Sequence, residues 1–274
     1  MSVILHLSDT HFGTEQPPVV EALLTLAQQQ QPDVAVLSGD ITQRARSSQF
    51  AAARAFVDRL GIAARVVVPG NHDIPLFNLK ARIFEPYRRY RQAFGVNLEP
   101  EYEDAALLVL GVKTTRRYRR KDGAVSEDQI QRTCERLRRA APDQLKIVVT
   151  HQPVHVIRPI DEQNLLRGRD LALQAWARAG ADLMLGGHIH LPYVRPLRDH
   201  HQLSREMWVV QAGTAVSWRV RAKAPNSVNI VRYQPAATRC TAERWDYGAD
   251  SRTFALAETT ELVIDRRGMG ADSA

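Results

Sequence analysis

The chain has 274 residues, 44% hydrophobic and 24% charged, which is the make-up of an ordinary globular protein with a sizeable core and excludes a disordered or fibrous one. Only Cys134 and Cys240 are present, no stretch approaches about eighteen uncharged apolar residues, and His6 breaks an N-terminal run that lacks a basic flank; a disulfide scaffold, a membrane span and a signal peptide are therefore not expected, and the expected location is cytoplasmic. A formal net charge of +7 suits a polyanionic partner, nucleic acid among the candidates, without requiring one.

In chain order, residues 3–7 read as a buried strand, 19–30 as an amphipathic helix and 33–37 as a second strand. Residues 47–60 read as a helix and 65–68 as a third strand. This βαβαβ rhythm predicts a largely parallel sheet covered on both faces. An Arg- and aromatic-rich stretch follows at 75–103, with a helix expected over 80–93, and strand character resumes at 105–112. Ser126 and Gln129 form a capping-box signature ahead of the stripe Ile130, Cys134 and Leu137, a helix ending near Pro142 that buries Cys134. A strand at 146–149, a helix at 170–179 and a strand at 182–185 come next. The segments 207–211, 227–233 and 241–245 alternate in the manner of antiparallel pairs. No repeat or linker divides 1–267, which reads as one domain, and 268–274 is expected to be a disordered tail.

Each of five predicted strands runs into a polar segment: Ser8-Asp9-Thr10-His11, Ser38-Gly39-Asp40, Gly70-Asn71-His72-Asp73, Thr150-His151 and Gly186-Gly187-His188-Ile189-His190. Taken singly, each has a plain structural reading. Gly70-Asn71 is an ordinary turn, Asp9 could cap a helix, and a lone histidine is more often core than ligand. Together they lie at the carboxyl ends of strands in an α/β protein, where ligands bind. Asp9, His11, Asp40, Asn71, His151, His188 and His190 supply two carboxylates, an amide oxygen and four imidazoles, a set that suits Mn, Fe, Zn or Co over Mg or Ca. Alternation along extended Asp-x-His and His-x-His segments would turn both members of each pair to one side. Seven ligands are too many for one tetrahedral ion and enough for two, with Asp40 between them. Two divalent ions against two carboxylates leave a positive site, built for an anion such as phosphate.

D-x-H, G-D, G-N-H-D, a strand-final His and G-H-x-H, in that order from Asp9 to His190, resemble the calcineurin-like metallophosphoesterase superfamily. The "LSDTHFG" opening and the "HQP" segment look most like its bacterial cyclic-nucleotide phosphodiesterase-like branch. The resemblance implies an α/β fold, a four-layer αββα sandwich with two mixed β-sheets flanked by helices. It implies two divalent transition metals, one on Asp9, His11 and His190, the other on Asn71, His151 and His188, with Asp40 bridging. His72 would be the acid that meets the leaving oxygen, Asp73 would orient the His72 ring, and a metal-bridging hydroxide would hydrolyse a phosphodiester. Gln152 departs from the branch, which often carries a second His there. Ala212-Gly213-Thr214, with Asn226-Ser227, occupies the place of a companion loop in related bacterial enzymes.

Three functions compete: a phosphodiesterase of a phosphorylated small molecule such as a cyclic nucleotide; a nuclease or nucleotide-lipid pyrophosphatase; and a non-catalytic scaffold, which the full ligand set disfavours. Arg116, Arg117, Tyr118, Arg119 and Arg120 form a loop of cations and an aromatic ring that would grip a nucleobase or nucleic acid, against the plainer reading of a solvated face. The similar run 87–91 reads as a solvated helix face. For a lipid substrate, Ile83, Phe84 and Phe94 offer a thin apolar flap.

Overall fold

The computed structural model of the chain describes residues 1–119, 121–221 and 224–266; Arg120 and the expected tail 268–274 lie outside the described residues. One six-stranded sheet holds β1 (Ser2–Leu7), β2 (Val34–Leu37) and β3 (Ala64–Val67) in parallel, extended antiparallel beyond β1 by β10 (Ser227–Tyr233), β11 (Arg239–Gly248) and β12 (Thr253–Val263). The other has the order β4 (Glu101–Glu103), β5 (Leu107–Gly111), β6 (Leu145–Val149), β7 (Leu183–Gly186), β9 (Trp208–Gln211) and β8 (Tyr193–Pro196), parallel from β5 through β9.

The period-2 alternation of the strands explains the layering. In β1, Val3, Leu5 and Leu7 pack against the helices α1 (Pro17–Gln30) and α2 (Ser47–Arg59), while Ile4 faces the second sheet. In β5, Leu107 and Val109 meet Ile4, Val34 and Val36 between the sheets, and Leu108 and Leu110 face α5 (Glu127–Arg139) and α6 (Arg169–Arg178). Four layers result, helix–sheet–sheet–helix. The expected coverage of both faces is real, but one face is covered by the other sheet. The 207–211 strand departs from expectation in lying parallel to β7 as well as antiparallel to β8.

The expected helix over 80–93 is two helices, α3 (Leu79–Phe84) and α4 (Arg88–Phe94). Pro86 has no N–H to donate and forces Glu85 out of the helical region, to φ −139° and ψ 58°. The halves differ: α4 buries Tyr90, whose hydroxyl donates to Val67 O at 2.6 Å, whereas α3 buries none of its residues. Ser126 caps α5 as read, accepting from Gln129 N–H at 3.2 Å. No helix among the described residues is long and apolar enough to cross a membrane.

Candidate metal centre

β1, β2, β3, β6 and β7 end at one edge of the two sheets, and the loops they run into bond to one another. Asp9 N–H donates to Gly39 O, His11 N–H to Asp40 O and Gly187 N–H to His151 O, each at 3.0 Å. The pairs are not extended, as the alternation argument assumed. Asp9, His11, Asp40, His188 and His190 all adopt left-handed backbone, with φ of 52°, 43°, 48°, 75° and 58°. Such conformations are costly for side-chain-bearing residues and persist where surrounding structure over-determines them, commonly at functional sites. Two glycines make the close approach feasible. A Cβ on Gly70 would stand 2.0 Å from Asp40 N, and one on Gly187 would stand 1.8 Å from Ser8 Oγ and 2.7 Å from Asp9 Oδ2.

All seven expected ligands meet here. Asp9, His11 and His190 form one group and Asp40, His151 and His188 a second; in each, one donor atom per residue lies within 4.8 Å of the others. Asp40 faces both, with Oδ2 3.8 Å from His11 Nε2 and Oδ1 3.3 Å from His151 Nε2. Asn71 Oδ1 is 3.2 Å from His151 Nε2, within the second group.

Backbone carbonyls aim the rings. His151 Nδ1 donates to Ser38 O at 2.8 Å, and His190 Nδ1 to Arg219 O at 2.6 Å beside Thr214 Oγ1 at 2.7 Å. A carbonyl only accepts, so Nδ1 carries a proton and each ring turns its Nε2 inward. The companion loop at Thr214 thus orients His190. Asp9 Oδ2 accepts the His188 N–H at 2.9 Å. Asp9 Oδ1 and His188 Nδ1 are covered from solvent and have no hydrogen-bond partner among the described residues. Unsatisfied buried polar atoms of this kind are costly, and a cation is what both would satisfy. The donor set therefore fits a pair of metals.

Burial holds His11 well below the ordinary histidine range, against the pull of Asp40. Burial, reinforced by His151, lowers His188 to about 3, so both rings stay in the neutral, ligating form. His151 goes the other way: burial would lower it, but the charge of Asp40 outweighs that and raises it to about 9. Burial would raise the Asp40 carboxyl, yet His151 and His72 hold it well below its usual value.

Asp73 does not orient His72. Its carboxylate accepts from Gly70 N–H at 2.8 Å, Ile41 N–H at 3.1 Å, Thr42 N–H at 2.8 Å and Thr42 Oγ1 at 2.9 Å, which clamps the β3 loop onto the β2 loop. The acceptor for His72 Nδ1 is Gln43 O at 2.9 Å. His72 Nε2 faces the centre, its ring edge-on to His11 with centroids 4.8 Å apart.

Arg116 and Arg117 are directed to the protein. Arg116 donates to Lys113 O, Thr115 O and Gln129 Oε1 at 3.1, 3.3 and 2.6 Å, and Arg117 to Ile83 O at 2.7 Å. Arg119 pairs with Asp122 at 3.5 Å, and Tyr118 is exposed. Among the described loop residues, Lys121 reaches the site, on the wall of a cavity of about 240 Å³ shared with Gln43, Arg44, Asn71, His72, Ile74, Leu76 and Arg82. Gln152 anchors this loop, its Nε2 donating to Lys121 O at 3.0 Å and its Oε1 accepting from Thr114 Oγ1 at 2.5 Å.

One functional candidate escaped the sequence reading. Arg219 Nη1 lies 2.8 Å from Gln43 Oε1, 3.4 Å from His72 Nε2 and 3.5 Å from His11 Nδ1, and no carboxylate among the described residues pairs with it. The companion loop was a signal for the segment, but nothing in its spacing distinguishes Arg219 from the other arginines there.

The calcineurin-like phosphoesterase family model matches residues 2–192, and the chain belongs to that family. No curated protein sequence matches the chain. Among solved structures, the purple acid phosphatase PPD1 of yellow lupin (Lupinus luteus) seeds superposes with a TM-score of 0.73 at 12% identity, over 98% of this chain and 55% of the lupin chain. A dimetal phosphatase of Danio rerio gives 0.65 at 13% identity, over 96% of this chain and 99% of that one. Vacuolar Protein Sorting 29 of Cryptosporidium parvum gives 0.52 at 12%, covering 96% and 98%. At such identities these likenesses establish the fold alone.

Proposed function

We propose that the chain is a binuclear metal-dependent phosphodiesterase acting on a small phosphorylated molecule. The observation that carries this reading is the pair of donor groups flanking Asp40, with Asp9 Oδ1 and His188 Nδ1 buried and otherwise unsatisfied. Asp9, His11 and His190 hold one cation; Asn71, His151 and His188 hold the other; Asp40 faces both. Of Mn, Fe, Zn and Co, any suits four imidazoles and two carboxylates. When bound, the cations supply Lewis-acid polarisation of the phosphoryl group and lower the pKa of water.

The protein's own groups do the rest. Arg219 presents a guanidinium next to His11 and His72, placed for a non-bridging phosphoryl oxygen. His72 in its protonated form directs Nε2–H to the leaving oxygen, while Gln43 O holds Nδ1 and fixes the ring plane. The cavity beside His72 favours a diester over a monoester, because it gives the second esterified group a place. Its apolar walls, Ile74 and Leu76, suit a planar or aliphatic leaving group. Its cations Arg44 and Lys121 suit one with further negative charge, as a nucleotide has. A cyclic nucleotide is the first substrate to test, and a nucleotide-lipid or nucleic acid the alternative.

Mn-loaded protein assayed on a bis-aryl phosphodiester, an aryl monoester, cyclic AMP, a nucleotide-diphospho-lipid and single-stranded DNA separates these readings. Diester turnover above monoester turnover is expected. Well-folded protein that takes up no transition metal and turns over none of the five would leave the scaffold reading in place. His72→Ala should cost roughly 10²–10⁴-fold on alkyl or ribose esters and little on a nitrophenyl ester, whose leaving group needs no proton. Equal losses on both would assign His72 to site geometry.

A further inference from the structure

Seven large apolar side chains gather on segments around the mouth of the crevice, each at least two-fifths exposed. Phe77 (79%), Leu79 (66%), Ile83 (52%) and Phe84 (77%) lie in or beside α3, with Tyr118 (74%) on the adjoining loop. Trp218 (62%) and Val220 (40%) flank Arg219 across the opening. Isolated exposed hydrophobes are unremarkable, but a patch rimming a functional crevice marks an interaction surface.

Cations are interleaved with this patch. Arg44 stands 5.4 Å over the Phe77 ring. Arg117 is held by Ile83 O at 2.7 Å, a carbonyl that leaves its charge uncompensated. Arg44, Lys80, Arg117 and Lys121 form no ion pair among the described residues. Beside α3 and its adjoining loop the acids are already engaged, Glu85 with Arg88 at 3.3 Å, and Asp122 with Arg119 at 3.5 Å and Arg167 at 3.1 Å; on the Trp218 side, Glu15 accepts from Gly13 N–H. Exposed aromatic and aliphatic tips among uncompensated cations complement a surface that is apolar within and negatively charged at its boundary.

We propose that this rim seats on an anionic lipid surface, with Phe77, Leu79, Phe84, Tyr118 and Trp218 entering the headgroup layer and Arg44, Lys80, Arg117 and Lys121 meeting lipid phosphates. The crevice then opens toward the lipid. The proposal rests on the surface alone and stands whichever phosphoester is cleaved.

Full-length protein is sedimented with vesicles of phosphatidylcholine alone and of phosphatidylcholine with about one third phosphatidylglycerol. Binding to the anionic vesicles should exceed binding to the neutral ones by about tenfold or more at low salt. Leu79→Ser/Phe84→Ser should reduce it by about tenfold. Both side chains are exposed and away from the metal ligands, so the variant should keep the wild-type melting temperature and its turnover of a soluble nitrophenyl diester. Failure of wild-type protein to bind anionic vesicles overturns the proposal. So does undiminished binding of the double variant, which would reduce the effect to net charge. Light scattering that finds a wild-type dimer and a monomeric variant also overturns it, by assigning the patch to a second copy of the chain.

Discussion

In the metal centre, Asp9, His11 and His151 are fully buried, and ring and carboxylate orientation is set by backbone N–H and C=O groups from neighbouring loops. In the cap above it, no residue of α3 is buried, and the segment is tied down by side chains reaching carbonyls, Arg82 to Arg119 O at 2.6 Å and Arg117 to Ile83 O at 2.7 Å. The donor atoms of the centre are held by backbone hydrogen bonds between buried loops. The cap has no core of its own and depends on long, flexible guanidinium arms. Fixed geometry therefore belongs to the first region, and exposed, adaptable surface to the second.

The comparison is tested most severely at Asp40, the one carboxylate facing both donor groups. Asp40→Asn keeps the volume and removes the charge, and should lower metal-dependent turnover by on the order of 10³-fold while depleting both metals together in elemental analysis. Loss of one metal with the other retained would show that the two groups are independent.

Arg219→Gln should leave metal content unchanged, since the backbone carbonyl of Arg219 supports His190 and its side chain reaches His11 only at 3.5 Å. Losing a charge-assisted bond to phosphate should weaken inhibition by inorganic phosphate by roughly ten- to a hundredfold, with partial rescue in Arg219→Lys. Unchanged phosphate inhibition would place the guanidinium outside the anion's reach.

Arg116 and Lys121 divide the loop between structure and site. Arg116→Ala removes three hydrogen bonds and should lower the melting temperature by about 2–6 °C, with turnover of a small diester preserved. Lys121→Ala should leave the melting temperature within about a degree and raise KM for a substrate with a charged leaving group. The reverse pattern would restore the expectation that Arg116 grips substrate.

The smallest effect separates the histidines of the candidate centre from a histidine packed elsewhere. Burial, with His200, His201 and Arg195 nearby, lowers His155 to about 4; its Nδ1 is 3.3 Å from His201 Nε2, and Asp170 lies 3.9 Å beyond. The unfolded chain, with an ordinary value of about 6.5, binds the proton more readily, so this contribution is complete above that pH and is lost as pH falls toward 4. Acidification of metal-loaded protein from pH 7.5 to 5.5 should lower the melting temperature, and His155→Gln should remove about a degree or two of that fall, after allowance for solvent screening. An identical slope in the variant would show that His155 does not titrate in this window.

Much of the centre was legible in the chain because strand ends repeat a simple grammar: an apolar run of four or five residues, then Asp, Asn or His. Continuous apolar runs marked β1 and β5 as strands, and the Ser126–Gln129 pair placed the start of α5, since both are local properties. Other features depend on partners distant in sequence. That Asp73 clamps Ile41 and Thr42 and that Gln43 O aims His72 follow from pairing β3 beside β2, and that Arg219 arrives beside His11 across some two hundred residues follows from the return of the chain from β9 in one sheet to β10 in the other. The break at Pro86 is local too, although the Arg- and Tyr-rich pattern continues through it. Short or polar strands such as β4, β8 and β12 carry too little apolar periodicity to be seen alone; pairing with a neighbour creates them. Residue chemistry is written locally, while the direction in which a ring or guanidinium points is set by whichever backbone carbonyl the packed loops bring within 3 Å of it.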